Sequence, residues 1–445
     1  MTTRRPAEPT TLYAPITAPG RAAVAAVRLS GPRALAAAET LAGPLPPPRR
    51  LARRRLVDPG SGEPVDDALV AAFPAPASLT GEDVVELHLH GGPVPLRRLL
   101  AALARLDGLA PAGPGDFARR AFLNGRMDLA QAEATADLVA AETDAQARQA
   151  LRQLDGALGR RVTAWQERLT AVRAVLEAGL DFADEGDVAA AADDAAEALT
   201  ALAAELAAAA GDDRGERLRE GLVVALVGAP NAGKSSLLNA LAQRDVAIVA
   251  AVAGTTRDVL EVPMELGGRP VTLIDTAGIR ESDDLIEQEG VRRARLAAER
   301  ADLRLVLIDG ERWPVGGAPA GVEAGDDDVV VLAKADLEPA GPRAWAGRAM
   351  VEASVLRPGG LDAVLVALEA AAARRLDGGA LWTRARHRAA LTEAAAEVAA
   401  GAAQPDPVLR AENLRLAERA LQRITGTGGV EVLLDAIFAG FCIGK

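Results

Sequence analysis

Gly228-Ala229-Pro230-Asn231-Ala232-Gly233-Lys234-Ser235 has the spacing G-x-x-x-x-G-K-S. The apolar run before it, Leu222-Val223-Val224-Ala225-Leu226-Val227, predicts a buried strand. The residues after it, Ser236-Leu237-Leu238-Asn239-Ala240-Leu241, open a helical pattern. Strand, glycine loop and helix in that order form a phosphate cradle, because glycines let backbone N–H groups curl around an anion and the helix N-terminus adds positive potential. Asn231, Ala232, Gly233, Lys234, Ser235 and Ser236 are the candidate phosphate contacts. Lys234 is expected to reach the β/γ phosphates and Ser235 to hold Mg²⁺.

Downstream motifs fit the same chemistry. Asp275-Thr276-Ala277-Gly278 ends a predicted strand, where an Asp can support Mg²⁺ through water and a glycine N–H can sense the third phosphate. Between it and the phosphate loop lies Gly254-Thr255-Thr256-Arg257-Asp258, in which Thr256 is the natural switch threonine and a second Mg²⁺ contact. The expected guanine motif N-K-x-D reads Ala333-Lys334-Ala335-Asp336. Asp336 can accept from guanine N1–H and N2–H₂, a donor pair that adenine lacks. The missing amide at Ala333 predicts weaker but still guanine-selective binding, at a cost on the order of 0.5–1.5 kcal/mol. Ser354-Val355-Leu356 occupies the place of a loop that closes over the base. Many GTPases orient water with a Gln after the D-x-x-G glycine, but Ile279 stands there. Asn231 offers a side-chain carbonyl to a monovalent cation; a plain turn residue is the other account of it.

A chain of 445 residues suggests about three domains. Hydrophobic residues make up 49% and aromatics only 2%, so Leu, Val and Ala must fill the cores. A net charge of −12 argues against a general nucleic-acid coat. Cys442 is the single cysteine, which excludes an intrachain disulfide and a cysteine metal cluster and fits a reducing cytosol. The first residues lack the apolar core of a signal peptide, and Val188 to Ala210 carries four acids, so no membrane insertion is expected.

Val24–Leu29, Ala68–Phe73 and Val84–His90 predict strands and Leu96–Leu106 a helix, an α+β domain over 1–121. Arg49-Arg50 and Arg53-Arg54-Arg55 are expected on a solvated loop face or in contact with RNA or a partner. Residues 122–217 take helical spacing, with Gly211–Gly215 as a linker. The nucleotide domain runs over 218–373, with strands expected at Leu222–Val227, Val271–Asp275, Leu303–Asp309, Val329–Ala333 and Met350–Ser354. Helical spacing returns over 374–445. The fold class is therefore multidomain α/β plus α, with a P-loop domain and its mostly parallel sheet inserted into a discontinuous helical domain.

The chain resembles the TrmE-type tRNA modification GTPase family, and the likeness extends beyond the nucleotide domain. It is carried by Ala18-Pro19-Gly20-Arg21, Arg28-Leu29-Ser30-Gly31, Thr80-Gly81-Glu82-Asp83, His90-Gly91-Gly92-Pro93, Pro114-Gly115-Asp116-Phe117 and Arg120-Ala121-Phe122-Leu123-Asn124-Gly125. The tail Phe441-Cys442-Ile443-Gly444-Lys445 is especially specific. The resemblance implies a cytoplasmic GTP hydrolase that modifies the wobble uridine of certain tRNAs at C5. It implies a constitutive homodimer, a flavin-dependent partner of the MnmG (GidA) type, and an N-terminal domain that binds a formyl-tetrahydrofolate-type carrier. Two G domains would meet in the GTP state with K⁺, removing the need for an arginine finger. By position, Asn231 ligates K⁺ through its side chain and Ala250, Val252 and Thr255 through the loop Ala250-Ala251-Val252-Ala253-Gly254, where Ala250 replaces the family's usual Thr. Glu287 stands in the place of the water-activating glutamate. Folate contacts fall on Arg28, Glu86, Arg126 and Lys445. Cys442 is either a chemically active tail residue or a small apolar one docking the tail. A competing account is an RNA-binding GTPase switch in ribosome assembly, which leaves the tail and the insertion unexplained.

Overall fold

The structure, a computed structural model, describes residues 10–181, 188–244, 261–275, 301–315, 318–319, 325–337, 343–378, 381–428 and 431–444. The chain divides into two compact units, one of residues 1–136, 154–167 and 418–445, the other of 137–153 and 168–417.

The first unit is built on a six-stranded sheet. Its strands are β1 (Thr11–Pro15), β2 (Val24–Ser30), β3 (Ala52–Val57), β4 (Pro64–Phe73), β5 (Val84–His90) and β6 (Leu109–Pro111). Their order is β3-β4-β5-β2-β1-β6, antiparallel except for the β1–β6 pair. Alternate residues Val27, Leu29, Val85, Leu87 and Leu89 are buried with Leu41 of helix α1 (Ala34–Ala42) and Leu99 and Leu103 of α2 (Pro93–Leu103). Arg53, Arg54 and Arg55 lie on edge strand β3 rather than on the expected loop. Alternation along the strand brings Arg53 and Arg55 to one carboxylate, Asp67 on β4, which holds both (2.9 and 3.1 Å). The two guanidinium groups keep Asp67 at about 2, below the ordinary carboxylate range.

The C-terminal tail docks in this unit. Helix α3 (Asp116–Leu123) and the start of α4 (Leu129–Ala140) form an apolar cluster with Leu434, Phe438 and Phe441. Gly115 (φ 69°) leaves no room for a side chain, since a Cβ would lie 2.8 Å from the Phe438 carbonyl oxygen. Ile443 makes an antiparallel bridge to Pro114, and a Cβ on Gly444 (φ 95°) would lie 2.2 Å from the Pro15 oxygen. Phe441, Ile443 and Gly444 thus seat the tail, while the Cys442 side is exposed.

The second unit contains most of α5 (Asp144–Leu154), the C-terminal part of α6 (Ala157–Asp181), α7 (Val188–Gly211), α8 (Arg214–Glu220) and a second sheet. That sheet consists of β7 (Leu222–Gly228), β8 (Glu261–Leu266), β9 (Arg269–Asp275), β10 (Leu303–Asp309), β11 (Val329–Ala333) and the short β14 (Val351–Glu352), with a two-residue hairpin, β12 (Ala344–Trp345) and β13 (Arg348–Ala349), outside it. The order is β14-β11-β10-β7-β9-β8, all parallel except β8, which pairs antiparallel with β9. Every residue of β11 is buried, as a strand covered on both faces requires. Helices α9 (Lys234–Ala242) and α10 (Asp362–Leu376) supply Leu237, Leu241, Val364 and Leu368 to one face. Helix α11 (Ala385–Ala403) packs along α7, and α12 (Pro407–Thr425) and α13 (Glu431–Ala439) complete the chain.

The connections into and out of the sheet are tied by one helix face. On α5, Gln146, Gln149 and Gln153 fall at helical spacing. Each side-chain amide donates to the connecting chain: to the Arg219 oxygen (3.0 Å), the Gly215 oxygen (2.9 Å), and the Leu381 oxygen (2.8 Å) with Thr383 Oγ (2.9 Å). Arg219 closes the arrangement by donating to the Thr383 oxygen at 2.8 Å. Residues 214–220 are therefore a helix held in place, whereas the composition of Gly211–Gly215 predicted a plain linker. Gln153 is 2% exposed. Replacing it by Ala strands buried acceptors, so Gln153→Ala is expected to cost about 1–2 kcal/mol. A lowered unfolding midpoint with earlier proteolysis near 377–384 checks it, and an unchanged midpoint contradicts it.

Candidate functional site: a phosphate loop and a base loop

The phosphate loop leaves the C-terminal end of β7 and enters α9. Gly228 must be glycine because a Cβ would lie 2.9 Å from the Leu307 oxygen of neighbouring β10. Asn231 (φ 64°) and Gly233 (φ 96°) take left-handed conformations that turn the backbone back towards the helix. Ala232 is fully buried, and Asn231, Ser235 and Ser236 are exposed.

Lys234 is 7% exposed and folds back over its own loop. Its Nζ donates to the Gly228 oxygen at 2.8 Å and the Ala229 oxygen at 3.0 Å. Burial pulls its pKa below the ordinary lysine value, and the Asp275 carboxylate pulls the other way. The Ser235 hydroxyl donates to Asp275, which ends β9 and is 2% exposed. A hydroxyl beside a buried carboxylate is an all-oxygen donor set, suited to a hard divalent cation such as Mg²⁺. The β7–β9 pairing, with Leu226 opposite Asp275, is what brings these two sequence-distant residues together.

The base loop follows β11. Lys334 has φ 55°, and its Nζ pairs with Asp309 (2.9 Å) and Glu311 (3.1 Å). Burial works against the ammonium, but the hydrogen bonds to Asp309 and Glu311 prevail and raise its pKa. Asp336 accepts from Ser354 Oγ at 2.6 Å, a bond that holds its carboxyl below the ordinary value against the cost of desolvation. Ser354 Oγ also accepts from the N–H groups of Leu356 and Arg357, both at 3.2 Å, which shapes the Ser354–Leu356 turn. Val355 and Leu356 are 46% and 79% exposed there. Ala333 is 7% exposed and packs in the core beneath the loop.

In the first unit, Arg28 and Glu86 are opposite one another on β2 and β5. Arg28 Nη2 and Nε donate to Glu86 Oε1 at 2.8 and 3.1 Å, the other carboxylate oxygen lies 3.2 Å from His88 Nε2, and Phe117 sits 5.6 Å beneath the guanidinium. Phe117 falls within a family motif but carried no site role in the sequence, and neither did His88; the period-2 spacing of Glu86 and His88 on β5 was the available signal. Arg126 is exposed, its Cγ 3.2 Å from where a Cβ on Gly81 would lie. Glu287, Lys445, Ala250 to Thr256 and Thr276 to Ile279 lie outside the described residues.

A mostly parallel sheet, a phosphate loop at the end of an interior strand, a Ser hydroxyl bonded to a strand-end Asp beside it and an Asp-bearing loop after β11 define a P-loop GTPase. Residues 11–126 match the family described as the GTP-binding protein TrmE N-terminus, and residues 129–442 match the MnmE helical domain. The chain is 53% identical over 458 residues to the tRNA modification GTPase MnmE of Methylorubrum populi, covering all of both chains. It is 52% identical to the protein of that name from Methylobacterium radiotolerans, over 98% of this chain and 100% of the relative. The cytosolic domain of the T. maritima FeoB iron transporter in its GMPPNP form aligns with 46% of this chain and 99% of its own at 16% identity. Its TM-score of 0.21 is too low to bear on the fold. The chain belongs to the MnmE (TrmE) family of tRNA modification GTPases. Among the described residues no helix is long and apolar enough to cross a membrane.

Proposed function

We propose that this chain hydrolyses GTP in the service of C5 modification of the wobble uridine of certain tRNAs, acting in the cytoplasm with a flavin-dependent partner. The observation that carries this reading is the grouping of Lys234, Ser235 and Asp275 at one strand end, in a chain matched along its full length by tRNA modification GTPases. Residues 1–121 form the folate-binding and homodimerising domain, 218–373 the inserted G domain, and 122–217 with 374–445 the helical domain. Lys234 neutralises the β/γ phosphates, Ser235 and Thr256 hold Mg²⁺, and Asp336 reads the guanine edge. The bound Mg²⁺ supplies charge neutralisation at the phosphates. Asn231, Ala250, Val252 and Thr255 hold K⁺ where two G domains meet, and Glu287 orients the attacking water. The Arg28–Glu86–His88 row, with Arg28 stacked over Phe117, presents a line of polar groups, which supports a folate carrier held with Arg126 and Lys445. Cys442 is an exposed residue within the docked tail, which supports a chemical role rather than a packing one.

Replacing K⁺ by Na⁺ is expected to lower turnover at least ~10-fold, about 1.4 kcal/mol of barrier. Equal steady-state rates in the two salts would remove the cation from the account. The function as a whole is tested by mass spectrometry of tRNA nucleosides from a deletion strain. Loss of the modified wobble uridine is expected, and a normal nucleoside profile would sink the reading in favour of a ribosome-assembly switch.

A further inference from the structure

Asp309 ends β10 with its side chain 2% exposed, and no contact with phosphate, cation or base is assigned to it above. A carboxylate this buried needs a counter-charge. Parallel pairing sets Asp309 opposite Ala333, and the Gly310 N–H donates to the Ala333 oxygen at 3.0 Å. The residue that follows Ala333 is therefore delivered to the Asp309 carboxylate, and that residue is Lys334. Asp309 Oδ1 also accepts from the Glu311 N–H at 3.2 Å, so the turn after β10 brings a second carboxylate to the same ammonium.

Lys334 carries a backbone strain. A non-glycine residue at φ 55° is disfavoured and persists only where its surroundings hold it. Here the pair of carboxylates does so from one side. From the other side the Ala335 N–H donates to the Ala353 oxygen at 2.9 Å, and Arg357 donates to the Asp336 oxygen at 3.2 Å. The loop between these anchors carries Asp336. It begins at Ala333, which has no side-chain amide with which to fix it.

We propose that Asp309, assisted by Glu311, is a positioning residue for guanine selection: it anchors Lys334 and so sets the place of the Asp336 carboxylate. The proposal rests on the GTPase reading and names two residues that serve base recognition without touching the base.

The test is titration of the full-length protein with a fluorescent GDP analogue, followed by competition with GDP, IDP and ADP. Inosine lacks the exocyclic amine that Asp336 accepts from, so the GDP/IDP affinity ratio reports where that carboxylate stands. Asp309→Asn is expected to weaken GDP at least ~10-fold, about 1.4 kcal/mol, and IDP less, driving the ratio towards one. Glu311→Gln changes a group whose side chain is 64% exposed, and so bears on the proposal even if Asp309→Asn fails to fold; it is expected to lower the ratio about threefold. Equal losses for GDP and IDP would mark Asp309 as merely structural and overturn the proposal, as would an unchanged ratio in Glu311→Gln together with a misfolded Asp309→Asn. A wild-type protein that binds ADP as tightly as GDP would overturn the guanine reading and the proposal with it.

Discussion

Lys234→Ala lowers GTP turnover by ~10³-fold while leaving the unfolding midpoint nearly unchanged. Lys234 is the one loop side chain whose ammonium already points along the backbone carbonyls of Gly228 and Ala229. It sits where burial raises the worth of its charge, with Asp275 close enough to act on it. When a triphosphate occupies the loop, its oxygens take the place of those carbonyls. The charge is then fixed before the transition state forms, which is the arrangement that makes electrostatic stabilisation large. Alanine removes that charge but also removes the cost of burying it, so stability changes little. Turnover and thermal unfolding measured on the same preparation separate the two effects. A rate within ~10-fold of wild type would show that Lys234 does not serve the phosphates.

Glu287→Ala leaves nucleotide affinity intact and cuts turnover at least ~10²-fold, the low end for losing general-base help. Ile279 stands where a water-orienting Gln often lies, and an isoleucine can neither accept nor donate. The family resemblance implies Glu287 as the group that orients the water in its stead. Single-turnover hydrolysis and nucleotide titration on the variant distinguish a lost base from a lost binding site. Unchanged K⁺-stimulated turnover would refute the assignment.

The parts of the fold most legible in the sequence were those buried on both faces. Leu303–Asp309 and Val329–Ala333 appear as strands with the expected bounds, because short, mostly apolar runs of that length suit a strand covered on both faces. Edge elements were less legible. Strand β8, which the sequence reading did not predict, has Pro263 within it and begins at Glu261, features an edge tolerates. The arginines of β3 looked like a solvated loop because the side chain that organises them, Asp67, is on another strand. Of Met350–Ser354, only Val351 and Glu352 form strand; Ser354 leaves to make the turn that meets Asp336.

The site was legible where its chemistry is local and obscure where it depends on register. Lys234 and Ser235 follow from the spacing of a single loop. That Ser235 meets Asp275, and that Asp309 meets Lys334, follows from strand pairing. The three glutamines of α5 gave no signal at all, since their partners are mostly backbone carbonyls, which every residue has.

In the proposed function, GTP hydrolysis by this chain drives the modification of tRNA. Its most direct test is a reconstituted reaction with purified chain, flavin-dependent partner, folate donor and unmodified tRNA, read by nucleoside mass spectrometry. The modified wobble uridine is expected with GTP and the wild-type chain, and not with Lys234→Ala or with GDP alone. Equal product in the Lys234→Ala reaction would contradict the account.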